Sequence, residues 1–281
     1  MTHAAFFPLV VACSLAASGA SRAQPADVAA LALYEGADRE QRLVKGARTE
    51  REINLYSSLV LEDLNALAAA FDKKYGVKLK FWRAGSEKVV QRTVTEARAG
   101  RFDFDVVETN GPELESLHRE KLLQKAGSPH FPDLLPEAVR PHREWIGTRL
   151  NLFVHAYNTN LVKKEELPRS WDDLLQPRWK GRLGIEAEDA DWLAVGTAIA
   201  RPNGVAIARR APNPHAALLF YDFEISEEGQ KVLLARDFVP TNKKVDTPLG
   251  RLPLKFVDAR VMLDEYDKWV KLYEEIFGKG R

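Results

Sequence analysis

The chain has 281 residues, enough for one large domain or two small α/β lobes. Hydrophobic residues make up 45% and charged residues 29%, the balance of a globular protein rather than a disordered or membrane-spanning one. The formal net charge of +1 offers no overall attraction for nucleic acid or an anionic membrane surface, so neither is expected as a partner.

Ala4 to Ala17 is apolar or small and carries no charge, and Ser21-Arg22-Ala23 places small residues at −3 and −1 of a cut before Gln24. This is the form of a secretory signal peptide over residues 1–23, against the plainer reading of a disordered tail. The apolar run is too short to span a bilayer as a helix. Cys13 is the only cysteine, so a chain cut after Ala23 has no disulfide or thiol chemistry. Val10-Val11-Ala12-Cys13 loosely resembles a lipoprotein cleavage box, but the apolar run continues past it and no basic residue precedes it. The expectation is export to the periplasm, with a lipid anchor as the alternative.

The stretch up to Thr49 is Ala-rich and then charged, with little β character, and is expected to wrap the surface. Ile53 to Ser57 then reads as a strand. Leu61, Leu64, Ala68, Phe71 and Tyr75 follow at helical spacing, with Gly76 as the stop. Val77, Leu79 and Phe81 alternate as in a second strand. Ser86 opens a second helix carrying Val90, Val94 and Ala97, ended by Gly100. Phe104 to Glu108 is a third strand, and Pro112 opens a third helix with Leu114 and Leu117. Strand and helix in alternation predict a parallel sheet covered by helices.

Such sheets bind ligands beyond the carboxyl ends of their strands. Those ends are Ser57-Ser58, Gly85-Ser86 and Thr109-Asn110-Gly111, all small and polar, and the first two lead into helix N-termini whose N–H groups suit an anionic or polar group. Ser58 and Ser86 also suit a plain capping role. Further along, Pro129, Pro132, Pro136 and Pro141 mark an irregular connection. Trp145 to Tyr157 is a β-prone run long enough to cross between lobes, and Ser170 to Asp173 is a capping box for a short helix. Leu183 to Ala187 and Gly204 to Ala208 read as strands. Asp191 to Ala200 and Pro214 to Phe223 read as helices. Met262, Tyr266, Trp269, Tyr273 and Ile276 form one face of a last amphipathic helix packed on the body.

No G-x-S-x-G, P-loop, H-E-x-x-H or C-x-x-C motif occurs, which argues against an enzyme. The six histidines are scattered and none pairs at i, i+4 with another, so a helical metal site gains no support. Glu186, Glu188, Asp189 and Asp191 put four carboxylates in six residues, which suits a cation or an amine and equally suits a solvated acidic loop.

Ile53-Asn54-Leu55-Tyr56-Ser57-Ser58, Phe71-Asp72-Lys73-Lys74-Tyr75-Gly76-Val77 and Phe104-Asp105-Val106-Val107-Glu108-Thr109 resemble the first-lobe segments of type II periplasmic solute-binding proteins of the ferric-iron class. Tyr157-Asn158-Thr159-Asn160-Leu161-Val162, Trp171-Asp172-Asp173-Leu174-Leu175 with Pro177-Arg178-Trp179-Lys180-Gly181, and Phe238-Val239-Pro240-Thr241-Asn242 resemble later ones, so the likeness runs from Glu52 to about Thr247. It implies a two-lobed α/β fold with parallel-type sheets. It also implies capture of a small molecule or ion, with iron, another metal or a cationic complex among the candidates, in an interlobe cleft, delivery to an ABC transporter permease, a monomeric state and no resident cofactor. The lobes are expected over 50–145 with 200–240, and over 146–199 with 241–281 including the C-terminal helix. The candidate ligand-binding residues are Tyr56, Ser57, Ser58, Gly85, Ser86, Thr109, Asn110, Asp189 and Asp191. Tyr56 and Tyr157 lie nearest the expected cleft, although their strand positions also suit packing.

Two departures stand out. Where iron-binding members carry a histidine after the first strand and a glutamate after the third, this chain has Val60 and Asn110. A substantial second-lobe stretch, including the iron-binding tyrosines, is missing near Gly196, so the second lobe is expected to be incomplete. Tight ferric-iron binding is therefore not expected. A shortened member that has lost tight binding, and a periplasmic hydrolase using Glu and His, are the alternatives.

Overall fold

The computed structural model describes residues 27–153, 157–169, 172–184, 199–247 and 254–277. Residues 1–23, expected from the sequence as a signal peptide, and the acidic cluster Glu186 to Asp191 lie outside them.

The stretch before Thr49 wraps the body as two helices, α1 (Val28–Ala32) and α2 (Arg39–Glu50). The Asp27 carboxylate starts α1 by accepting from the Ala29 and Ala30 N–H groups. Arg51 ends α2 with φ at 67°.

β1 (Glu52–Ser57), α3 (Leu61–Tyr75), β2 (Lys78–Arg83), α4 (Ser86–Arg98), β3 (Val106–Asn110) and α5 (Gly111–Arg119) follow as the hydrophobic spacing predicts. Gly76 closes α3 in the left-handed region that a glycine tolerates best, at φ 70°. β2 and β3 flank β1 in parallel.

The rest of the sheet is added by β4 (Leu123–Gln124), β5 (Ile146–Phe153), β6 (Ile199–Ala208), β7 (Val239–Pro240) and β8 (Lys255–Phe256). Its order is β2-β1-β3-β6-β5-β7, with β4 and β8 also on β6. The sheet is therefore mixed rather than parallel throughout, because β6 returns antiparallel between β3 and β5. β6 also begins at Ile199, so Ile199 and Ala200, expected at a helix end, are strand. They pair with Phe153 and Leu152 of β5 and with β8, and that pairing overrides local pattern. The pairing of β5 with β6 shifts register between Gly147 and Arg149, opposite Gly204. A methyl group at Gly204 would overlap the Ile146 carbonyl oxygen. Gly204→Ala should cost about 2 kcal/mol, read as a lower urea midpoint with an unchanged slope.

α6 (Pro214–Ile225) and α7 (Glu227–Leu234) cover the sheet. α6 is apolar nearly all round and sits inside the molecule, between the sheet and α2. The buried Arg39 of α2 pairs with Asp222 of α6 at 2.8 Å, and Glu50 accepts from the His215 and Ala216 N–H groups at the N-terminus of α6. The rings of Phe71, Tyr75, Phe220 and Phe223 pack together at the centre of the core.

Between β5 and β6 the described residues form three 3₁₀ turns, Lys164–Glu166, Asp172–Leu175 and Pro177–Trp179, and no strand or α-helix. Leu183 and Gly184, expected to open a strand, are irregular. The helix expected over 191–198 lies outside the described residues. Leu161, Leu175 and Leu183 are exposed here, by 75%, 83% and 58%, so this region lacks a core of its own in the described part. The last helix is split at Glu265 into α8 (Ala259–Asp264) and α9 (Tyr266–Phe277). α8 packs on α5, where Asp264 pairs with Arg119 at 2.6 Å.

Candidate functional site

The carboxyl ends of β2, β1 and β3 share one edge, and α3, α4 and α5 begin there. Their N-cap residues, Val60, Gly85 and Asn110, hold nearly the same extended conformation, with φ between −63° and −70° and ψ between 155° and 158°. None of the three provides a side-chain cap. The capping role open to Ser58 and Ser86 is thus not taken. Ser58 lies two residues before its N-cap, and Ser86 is the first helical residue.

These side chains tie the loops to one another instead. Ser58 Oγ and Thr109 Oγ1 are 3.0 Å apart, and the Asn110 amide donates to Ser86 Oγ at 2.9 Å. The Ser58 N–H donates to the Glu108 carbonyl and the Ala84 N–H to the Ser57 carbonyl. Three positive helix ends therefore converge on one rim, where Gly85, Val60 and Leu61 are exposed. Glu62, Asp63, Glu87 and Glu113 occupy the first turns and oppose a highly charged anion. Asp63 is neutralised by Arg236 at 2.6 Å.

Ser57, Ser58, Gly85, Ser86, Thr109 and Asn110 are thus brought together, while Tyr56 is not. Its side chain is buried under α4, its hydroxyl donates to Glu96 at 2.8 Å, and Arg92 lies over its ring. Burial, with Glu96 adding to it, pushes the Tyr56 hydroxyl far above the ordinary tyrosine range, so it stays protonated. Asp189 and Asp191 lie outside the described residues. A groove of about 450 Å³, lined by Leu135, Leu150, Val239, Leu254 and Phe256 together with Glu137, Lys243, Asp246 and Thr247, lies on the β5–β7–β8 side.

Beneath the rim is a charged cluster not anticipated from the sequence. Ser57 Oγ donates to Glu108 Oε2 at 3.1 Å, and Arg149 of β5 donates to Glu108 Oε1. Glu224 of α6 is fully buried beside them. Burial, reinforced by the Glu108 charge, raises the Glu224 carboxyl well above the ordinary carboxylate range. Its proton is kept in the folded state and lost in the unfolded one at neutral pH. Stability is then complete below about pH 4.5 as far as this group is concerned, and falls as pH rises toward the raised value. Glu224→Gln should flatten that fall, giving a urea midpoint at pH 8 above that of the unaltered chain. The available sequence signal was a glutamate inside the apolar run Leu218 to Ile225.

The sheet order and the three helix ends on one rim define the fold of the two-lobed periplasmic binding proteins. The family described as bacterial extracellular solute-binding protein matches residues 106–210. A curated relative, the Fe(3+)-binding periplasmic protein of Serratia marcescens, is 25% identical over 160 residues, 57% of this chain and 47% of that protein. The chain spans about half the length, or less, of the curated relatives it matches. Iron-bound HitA from Pseudomonas aeruginosa has the same fold, with a TM-score of 0.65 and 20% identity over 80% of this chain and 99% of that one. AfuA from Actinobacillus pleuropneumoniae, solved with fructose-6-phosphate, has a TM-score of 0.62 and 18% identity over 80% and 98%. In sequence and fold the chain is similar to type II periplasmic solute-binding proteins of the iron-binding class. No helix among the described residues is long and apolar enough to cross a membrane.

Proposed function

We propose that this chain captures a small solute in the periplasm and delivers it to an ABC importer permease, acting as a monomer and without catalysis. The observation that carries this reading is the convergence of three helix N-termini, none with a side-chain cap, on one rim. The solute's polar end is held there by the Ser58, Gly85, Ser86 and Asn110 loops, with Ser57 and Thr109 as the hydrogen-bonded floor. β5 and β6 carry the chain between the lobes proposed at 50–145 with 200–240 and at 146–199 with 241–281. The names of the curated relatives and the matched family support capture for transport.

A titration followed by calorimetry tests it. The probes are inorganic phosphate, a hexose phosphate, citrate and an amino acid. One of them should bind one-to-one. Ser86→Asp puts a negative charge at the first turn of α4, where it suits the helix but repels an anionic group. It should weaken binding about 10-fold or more. Binding by none of the probes would favour the second reading, a shortened member that has lost tight binding. The exposed Leu161, Leu175 and Leu183 between β5 and β6 speak for that alternative.

Ferric iron is not a tight ligand in this account. It is a hard cation that favours anionic oxygen, whereas Val60 offers none and the Asn110 amide is engaged with Ser86. With ferric salt and competing citrate, the protein should remain free of the visible charge-transfer band of an iron–tyrosinate bond. A coloured one-to-one complex that survives citrate would overturn this.

A further inference from the structure

Away from the rim, α5 and the loop before β5 bring together histidines and carboxylates that are far apart in sequence. Glu115 and His118 are three residues apart on α5 and so share a face. The loop before β5 adds His142 and Glu144. This loop is shaped by Arg143, which holds φ at 54°, and by the Arg143 N–H to Arg140 carbonyl bond. The rings of His118 and His142 stack with centroids 3.9 Å apart. One ligand atom each from Glu115, His118 and His142 lie within 4.8 Å of one another.

We propose that Glu115, His118 and His142 form a site for a divalent transition cation of the zinc type, separate from the solute rim. Two imidazoles and a carboxylate are a zinc-type donor set, and the fourth position is left to water. Zinc held at about 2.0–2.1 Å in a tetrahedron spaces its ligand atoms about 3.3 Å apart. His142 Nε2 and Glu115 Oε2 are already 3.4 Å apart. His142 Nε2 is buried and without a hydrogen-bond partner.

The surroundings resemble the outer support of a metal site. Glu144 Oε2 lies 2.7 Å from His118 Nδ1, which fixes the proton there and leaves Nε2 free to coordinate. Trp145 Nε1 donates to Glu115 Oε2 at 3.2 Å. The nearby cations are neutralised elsewhere, Arg119 by Asp264 and both Arg140 and Arg260 by Asp258. His118 and His142 keep partly exposed side chains, at 28% and 19%, so an ion has a way in. Loading requires one rearrangement. His142 Nδ1 accepts from the Glu144 N–H at 3.0 Å in the empty cluster, so Nε2 must give up its proton and Nδ1 must gain one as that bond is released.

The test uses the full chain without a histidine tag, stripped with a chelator and titrated with zinc chloride by calorimetry. Cobalt(II) serves as a coloured substitute. One zinc per chain is expected, with visible cobalt absorption typical of a low-symmetry site. His118→Ala and His142→Ala should each weaken zinc binding about 100-fold or more, and Glu144→Gln about 10-fold or more. Circular dichroism and urea midpoints check that each variant folds. If a variant does not, loss of the cobalt spectrum on Glu115→Gln in the folded chain takes its place. Absence of stoichiometric zinc uptake overturns the proposal. So does uptake that all three ligand substitutions leave unchanged, because the ion then sits elsewhere.

Discussion

Arg149→Met is expected to lower the free energy of unfolding by about 3–5 kcal/mol at pH 7. Arg149 is 2% exposed and is bonded to Glu108, which is fully buried. Removing the guanidinium strands a carboxylate in the core beside Glu224, and a buried charge without a partner costs far more than the pair contributes. Adding Glu108→Gln should recover a large part of the loss, because it removes the stranded charge. Urea unfolding of the single and double variants reads both effects. A single variant within about 1 kcal/mol of the unaltered chain would show the pair to be less isolated from water than its burial implies.

Phe71→Ala should cost about 3–5 kcal/mol. The Phe71 ring is fully buried, and its centroid lies 5.3 Å from those of Tyr75 and Phe220 and 5.6 Å from that of Phe223. It joins α3 to α6 across the helix layer, so truncation leaves a cavity between two elements that both pack on the sheet. Unfolding by urea should show a lower midpoint with the same slope, and Phe71→Leu should recover most of it. A loss below about 1 kcal/mol would mean that the site collapses around the gap.

The run from β1 to α5 was legible because its elements alternate cleanly. Leu61, Leu64, Phe71 and Tyr75 keep helical spacing, and Gly76 and Gly100 stop helices at positive φ. Three parallel strands put their loops on one edge by geometry alone, which is why the side-by-side placement of Ser57-Ser58, Gly85-Ser86 and Thr109-Asn110 could be anticipated. β6 was harder to see. Its first residues are strand through pairing with β5 and β8, contacts far apart in sequence that no local pattern records. The Tyr56 side chain is kept from the rim for a related reason. Alternation along β1 turns its side chain to the α4 face, where Glu96 takes the hydroxyl. The Glu108–Arg149–Glu224 cluster joins β3, β5 and α6, and the Glu115–His118–His142 cluster joins a helix to a later loop. Both depend on tertiary contact, and each left only a faint trace in the sequence.

In the proposed function a solute is held at the shared N-termini of α3, α4 and α5. This is tested most directly by following backbone amide resonances while the best-binding probe is added. The largest shifts are expected on Leu61, Glu62, Ser86, Glu87 and Gly111, at the three helix starts. Largest shifts in the groove lined by Leu150, Val239, Leu254 and Phe256, with the rim unmoved, would contradict it.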